Sequence, residues 1–217
     1  MVRSIQRAIV AAGLLACVAG GAARADVIFD TGTPDGGFFG FIGYDVFVEQ
    51  TVTVSFVPST TCTLDAIGVW FMSNDFDNPG RTYTLSLQGG VPGDTVWGQP
   101  SGVAIESWSM ATGAVGWSPV LDLADSGLHP TLNAGTRYWI VAESNEEPFV
   151  DPVWVWGSDW TPVVSGNIDF FSGPNWQIGE TSGSAPGTVV WATPVPGPAT
   201  IAVLGVGTLI GARRRRS

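Results

Sequence analysis

What most constrains this chain is a side-chain alternation of period two that recurs through its middle. In residues 51–56, Val52, Val54 and Phe56 share one side of an extended backbone, and Thr51, Thr53 and Ser55 share the other. Residues 81–87 repeat the pattern with Tyr83, Leu85 and Leu87. Each segment reads as an antiparallel strand with one face in a core and one face wet. Three further segments, 66–72, 138–142 and 153–156, are apolar on both faces and read as central strands covered from both sides. Turn chemistry separates these runs: Asn78-Pro79-Gly80, Gly89-Gly90-Val91-Pro92-Gly93, Asn133-Ala134-Gly135 and Gly173-Pro174-Asn175. Between the termini no stretch carries a helical period, and no repeat of fixed length is present. The expectation is an all-β domain over residues 26–193, with about ten or more strands forming a two-sheet antiparallel β-sandwich of jelly-roll-like type.

The charge is distributed in a way that excludes one large function class. All nine basic residues are arginines, and seven of them lie near the two ends of the chain. Between residues 26 and 196 only Arg81 and Arg137 remain, against all nineteen acids. Such a surface repels phosphate backbones, so nucleic acid is excluded as a partner. Of the two cysteines, Cys17 sits in an N-terminal targeting segment, so its removal leaves Cys62 with no intrachain partner. Thr61-Cys62-Thr63-Leu64 lacks basic neighbours and reads as strand, which makes Cys62 a buried structural thiol.

Both ends of the chain read as address labels. Arg3 and Arg7 open the chain, residues 8–18 are apolar, and Ala23 and Ala25 offer the small residues that signal peptidase reads. Residues 1–25 are therefore a signal peptide, with cleavage leaving Asp26 first. Leu14-Leu15-Ala16-Cys17 approximates a lipobox, so lipidation at Cys17 is a second reading. At the other end, residues 194–217 hold a proline-rich motif, an uncharged stretch over 199–212, and Arg213, Arg214, Arg215 and Arg216. A 14-residue helix covers about 21 Å, short of a hydrocarbon core of about 30 Å. Four arginines would hold its end on the cytoplasmic side, which suits a transient membrane anchor.

Val195, Pro196, Gly197, Pro198, Ala199 and Thr200, followed by the apolar stretch and the arginine cluster, resemble a PEP-CTERM sorting signal. The resemblance covers about the last 23 residues, and Gly197 stands where the family has a central Glu. It implies recognition by an exosortase-like membrane protease, removal of the tail, and delivery to the cell surface or extracellular matrix. More faintly, residues 46–142 resemble choice-of-anchor β-sandwich domains through the runs 50–56, 64–70, 83–87 and 132–140. That likeness implies a fold and a surface setting, and carries no catalytic residues.

Candidate sites within the domain are few. His129 is the single histidine, no Gly-x-Ser-x-Gly elbow occurs, and no His- or Cys-rich zinc set is available. Asp75, Asp77 and Asn78 put hard oxygens on one turn, which calcium favours, although Asx side chains bonding their own backbone explain the same residues. Trp154 and Trp156 fall on one side of a strand with Trp160 close behind, so they are either a stacking platform for sugars or core. Asp151 and Asp159 flank that strand, and Glu143, Glu146 and Glu147 precede it; paired carboxylates can hydrolyse glycosides, whereas an acidic loop is the simpler account. The sequence thus points to a non-enzymatic, exported structural or adhesive protein without cofactor, associated with extracellular polysaccharide. The alternatives are a carbohydrate-binding module and, below it, a glycoside hydrolase.

Overall fold

The computed structural model describes residues 25–36, 40–93, 95–169 and 173–196. Ala23, the residues from Gly197 to the C-terminus, and with them most of the sorting motif and the whole arginine cluster, lie outside the described residues.

Within them the domain is all-β, with thirteen strands in two sheets and every pairing antiparallel. The first sheet holds β1 (Asp26–Asp30), β2 (Gly43–Asp45), β4 (Cys62–Ser73), β7 (Val120–Asp125), β8 (Thr131–Leu132), β10 (Pro152–Val155) and β13 (Thr188–Pro194). The second, in the order β12-β11-β3-β9-β5-β6, holds β3 (Thr51–Phe56), β5 (Thr82–Val91), β6 (Gln99–Ala111), β9 (Tyr138–Glu143), β11 (Val163–Ile168) and β12 (Gln177–Thr181).

The long strand β4 organises the first sheet. Ala66 pairs with both Trp191 and Asp125, and Phe71 with both Trp154 and Val120. Strands β13 and β10 therefore follow one another along one edge of β4, with β7 on the opposite edge. A bulge at Asp65, where Trp191 faces Ala66 and Ala192 faces Leu64, shifts the alternation by one residue. That shift lets Cys62 and Leu64, then Ile67, Val69 and Phe71, all join the same core. From the second sheet Val52, Val54, Tyr83, Leu85, Leu87 and Ile140 meet them, so the two sheets pack face to face as in a β-sandwich.

The expected alternation holds for β3 and β5, but the face expected to be wet does not stay wet. Thr53 and Ser55 are buried, because β3 lies between β11 and β9. Their hydroxyls donate to the carbonyls of Ile140 (2.8 Å) and Val164 (3.0 Å), which removes the penalty of burial. The outer face of this sheet carries a second apolar layer, in which Trp139, Val141 and Val164 are covered by Trp97, Trp176 and Ile178. The Gly89–Val91 part of one expected turn is instead strand: β5 runs on to Val91, absorbing register shifts around Gln88. The central-strand reading holds for β4, β9 and β10, whose residues are almost all buried.

Two ends of the sandwich can be told apart along β4. Pro194 pairs with Cys62, the Val195 N–H donates to the Thr61 carbonyl (3.0 Å), and Asp26 pairs with Ala192. The chain thus enters and leaves the domain at the Cys62 end. Ser73 lies at the other end, eleven residues along and about 35 Å away at the usual rise.

Candidate functional site

The Ser73 end carries an open cavity of about 400 Å³ lined by Phe41, Asp45, Met72, Asn74, Trp117 and Val153. Strand register explains its floor. Met72 pairs with Val153 and Val153 with Asp45, so the three side chains form one row on the outer face of the first sheet. Continuing the alternation one step brings Asp151 and Asn74 to the same face, where the Asn74 N–H donates to the Asp151 carbonyl (3.0 Å). The apolar part of the floor is the small cluster of Met72, Val153 and Val155, with Phe41 and Trp70 against it.

Polar chemistry concentrates on three side chains. Asn74 Nδ2 donates to Asp45 Oδ1 and to Asp151 Oδ1, each at 3.1 Å. Trp117 Nε1 donates to Asn74 Oδ1 at 3.2 Å and so fixes which way the amide faces. Asp45 is exposed on the rim, whereas Asp151 is fully buried behind it. Asp151 Oδ2 is buried with no hydrogen-bond partner. Burial pushes the Asp151 carboxyl above the usual range; the Asn74 amide pulls it back, and the Asp45 charge adds to the rise. Phe149, two residues before Asp151, has a φ of 73°, an unusual conformation for a bulky side chain, and its N–H is directed at the Asp151 carboxyl.

An exposed aromatic pair stands on the same rim. The rings of Phe76 and Trp117 lie 5.6 Å apart at 60°, and both side chains are more than half exposed. Gly116 makes the pair possible: its φ of 59° and the Phe76 ring, 2.7 Å from where a Cβ would sit, leave room for no side chain. Two backbone bonds zip the loops together, from Gly116 N–H to the Asp75 carbonyl (2.7 Å) and from Ser73 N–H to the Gly116 carbonyl (3.1 Å).

The tryptophans singled out from the sequence are arranged differently from a platform. Trp154 and Trp156 do share a side of the chain, but that side faces inward. Trp154 is fully buried, stacked on Phe71 at 5.6 Å, with its Nε1 donating to the Gly187 carbonyl (3.0 Å). It cannot present a face to a ligand, because its side of β10 is packed into the core between the two sheets, while the other side carries Val153 in the cavity floor. Trp156 is half-buried against Tyr44 (5.8 Å), and only Trp160 is exposed, its ring lying over Gly183.

The turn expected to offer oxygens to calcium is internally engaged. Asp75 is buried, with Oδ1 accepting from the N–H groups of Asp77 (2.9 Å) and Asn78 (3.1 Å) and Oδ2 from the Arg81 guanidinium. Arg81 beside it holds the Asp75 carboxyl well below the usual carboxylate range. Among the described residues no group of three or more His, Cys, Asp or Glu side chains comes together as a metal centre.

The other acids and the histidine are also placed. Glu146 accepts from the Thr82 N–H and hydroxyl (both 2.9 Å) and from Arg81 (3.3 Å), and Asp159 accepts from Thr161. His129 adopts a φ of 46°, with Nδ1 3.0 Å from the Leu64 carbonyl. Ser126 near it donates to Glu106 Oε2 (2.7 Å) and accepts from the His129 backbone N–H (2.9 Å), so its hydroxyl is not paired with the imidazole. Cys62 is fully buried, and burial together with Asp65 pushes its thiol up, as a structural cysteine requires. No protein-family model matches the chain, and no curated protein matches it either.

Proposed function

We propose that this chain is an exported, non-enzymatic surface protein that binds extracellular polysaccharide through the end of its sandwich opposite the sorting tail. In this reading residues 1–25 are removed by signal peptidase, and the PEP-CTERM-like tail passes the protein to an exosortase-like protease. The domain, of choice-of-anchor type, then remains at the cell surface or in the matrix as a structural or adhesive element. The observation that carries the reading is the separation along β4: the chain leaves at the Cys62 end, and the Phe76–Trp117 pair with its polar cavity lies at the Ser73 end. A membrane-side tether would therefore hold that cavity outward. An aromatic face beside a carboxylate and a carboxamide is the pairing that saccharides use, with C–H groups on the ring and hydroxyls on the planar acceptors and donors. Tryptophan-based carbohydrate recognition is kept from the sequence, but moved from Trp154, Trp156 and Trp160 to Trp117.

The test has two arms. Protein collected from the surface fraction of its native host should begin at Asp26 and lack the peptide containing Arg213, Arg214, Arg215 and Arg216. That protein should also bind host polysaccharide, with Trp117→Ala reducing affinity about tenfold, the order of one stacking contact. Intact chain in the cytosol defeats the export reading, and unchanged affinity in the variant defeats the assignment of the binding end.

A further inference from the structure

The Asp45–Asn74–Asp151 cluster raises a charge question that the saccharide reading leaves open. Two carboxylates share one amide donor, each 3.1 Å from the same nitrogen. One of them is wholly buried, and its second oxygen makes no hydrogen bond; the N–H groups of Phe149 and Asp151 are directed at this carboxyl but bring no charge to balance it. No protein cation is at hand to compensate it. The described residues include only two arginines: Arg81 is held by Asp75 and Glu146, while Arg137 lies over Trp97 and Trp139 and donates to Ser55. His129 is at the far end of β4, on the Leu64 carbonyl. The balancing charge has to come from outside the protein.

We propose that the gap between Asp45 and Asp151 is a divalent-cation site of the calcium class, with the Asp151 carboxylate through Oδ2 and the Asp45 carboxylate as its protein ligands. Asn74, clamped by Trp117, is the positioning residue: its NH2 group holds one oxygen of each carboxylate and leaves the other oxygens to the ion. The donor set is all hard oxygen with no imidazole or thiolate, which selects calcium or magnesium over zinc or copper. Two carboxylates, of which only Asp45 lines the open cavity while Asp151 is buried behind it, give a weak site, with Kd on the order of 10⁻⁴–10⁻³ M, the range of calcium-binding extracellular modules. This site is distinct from the Asp75 turn, whose carboxylate is taken by Arg81. The inference does not depend on saccharide binding, so the two can fail separately.

The experiment is calorimetric titration of calcium alone into the full chain after treatment with a chelator, with melting temperature followed in parallel. Saturable one-site binding and a calcium-dependent rise in Tm are expected. Asp45→Asn and Asp151→Asn should each weaken binding at least tenfold, whereas Asp75→Asn should leave it unchanged. Asp45 is exposed, so its variant remains informative if Asp151→Asn fails to fold. Three results overturn the proposal: no saturable binding up to about 10 mM calcium, well beyond the stated range; full binding retained by Asp45→Asn; or loss confined to Asp75→Asn. The first would mean that a proton, not a metal, neutralises Asp151.

Discussion

Glu106 and Asp151 are both buried acids, they sit at opposite ends of β4, and the fold treats them in opposite ways. Glu106 lies near the tail end, where Ser126 donates to Oε2 (2.7 Å) and the N–H groups of Gly127 (2.7 Å) and Leu128 (3.0 Å) donate to Oε1. Burial pushes this carboxyl up, but those hydrogen bonds and the neighbouring His129 outweigh it and leave it below the usual range. Asp151, at the other end, has one satisfied oxygen and one orphan, and is pushed up. A carboxylate whose donors are all supplied by its own fold is structural. One whose donors are incomplete needs a proton, a water or an ion to complete it, and the cation proposed above is one way of doing so.

That contrast can be broken or sharpened by substitution. The largest effect belongs to neither acid but to the core between them. Trp154→Ala should cost about 3–5 kcal/mol, read from the denaturant midpoint, because it empties a fully buried site and removes one of the two donors to the Gly187 carbonyl, the other being the Trp70 N–H. Glu106→Ala should cost about 2–3 kcal/mol by leaving the Ser126 hydroxyl and two N–H groups without an acceptor. The same carboxylate sets a pH dependence. Its folded pKa is depressed, so its contribution is present above the unfolded value of about 4.3 and is lost as pH falls through the folded one. Melting curves between pH 6 and pH 3 should therefore show an acid limb in the wild type that Glu106→Gln flattens. The smallest effect on stability is expected of Trp117→Ala, within about 1 kcal/mol for a largely exposed ring, although polysaccharide affinity falls. A loss as large as that of Trp154→Ala would make Trp117 a core residue and erase the distinction between the two ends.

Much of the fold was legible because alternation is a local property. The inward sets of β3 and β5, and the doubly apolar β4, β9 and β10, follow from side-chain order alone. What alternation does not carry is the identity of the cover. The polar side of β3 is dry because β11, arriving more than a hundred residues later, lies beside it. The alternation leaves Trp154 open between platform and core for the same reason, and the second sheet packed on its side of β10 makes it core. The site was less legible still. Asp45, Asn74 and Asp151 are separated by 29 and 77 positions, and none belongs to a spacing motif. Asp151 stood out only as an acid flanking an apolar strand, and Trp117 as one tryptophan among ten.

The edge-to-centre run of β1, β13 and β4 has a mechanical consequence. A tether drawing on the chain beyond Pro194, while the Ser73 end is held by a ligand, loads the domain along its strands. The rungs from Thr188↔Val69 to Pro194↔Cys62 lie across that direction, so they are sheared together and not peeled one by one. A sandwich connected in this way would share such a load over the whole ladder, and β1 on the far side of β13 adds a second ladder to it.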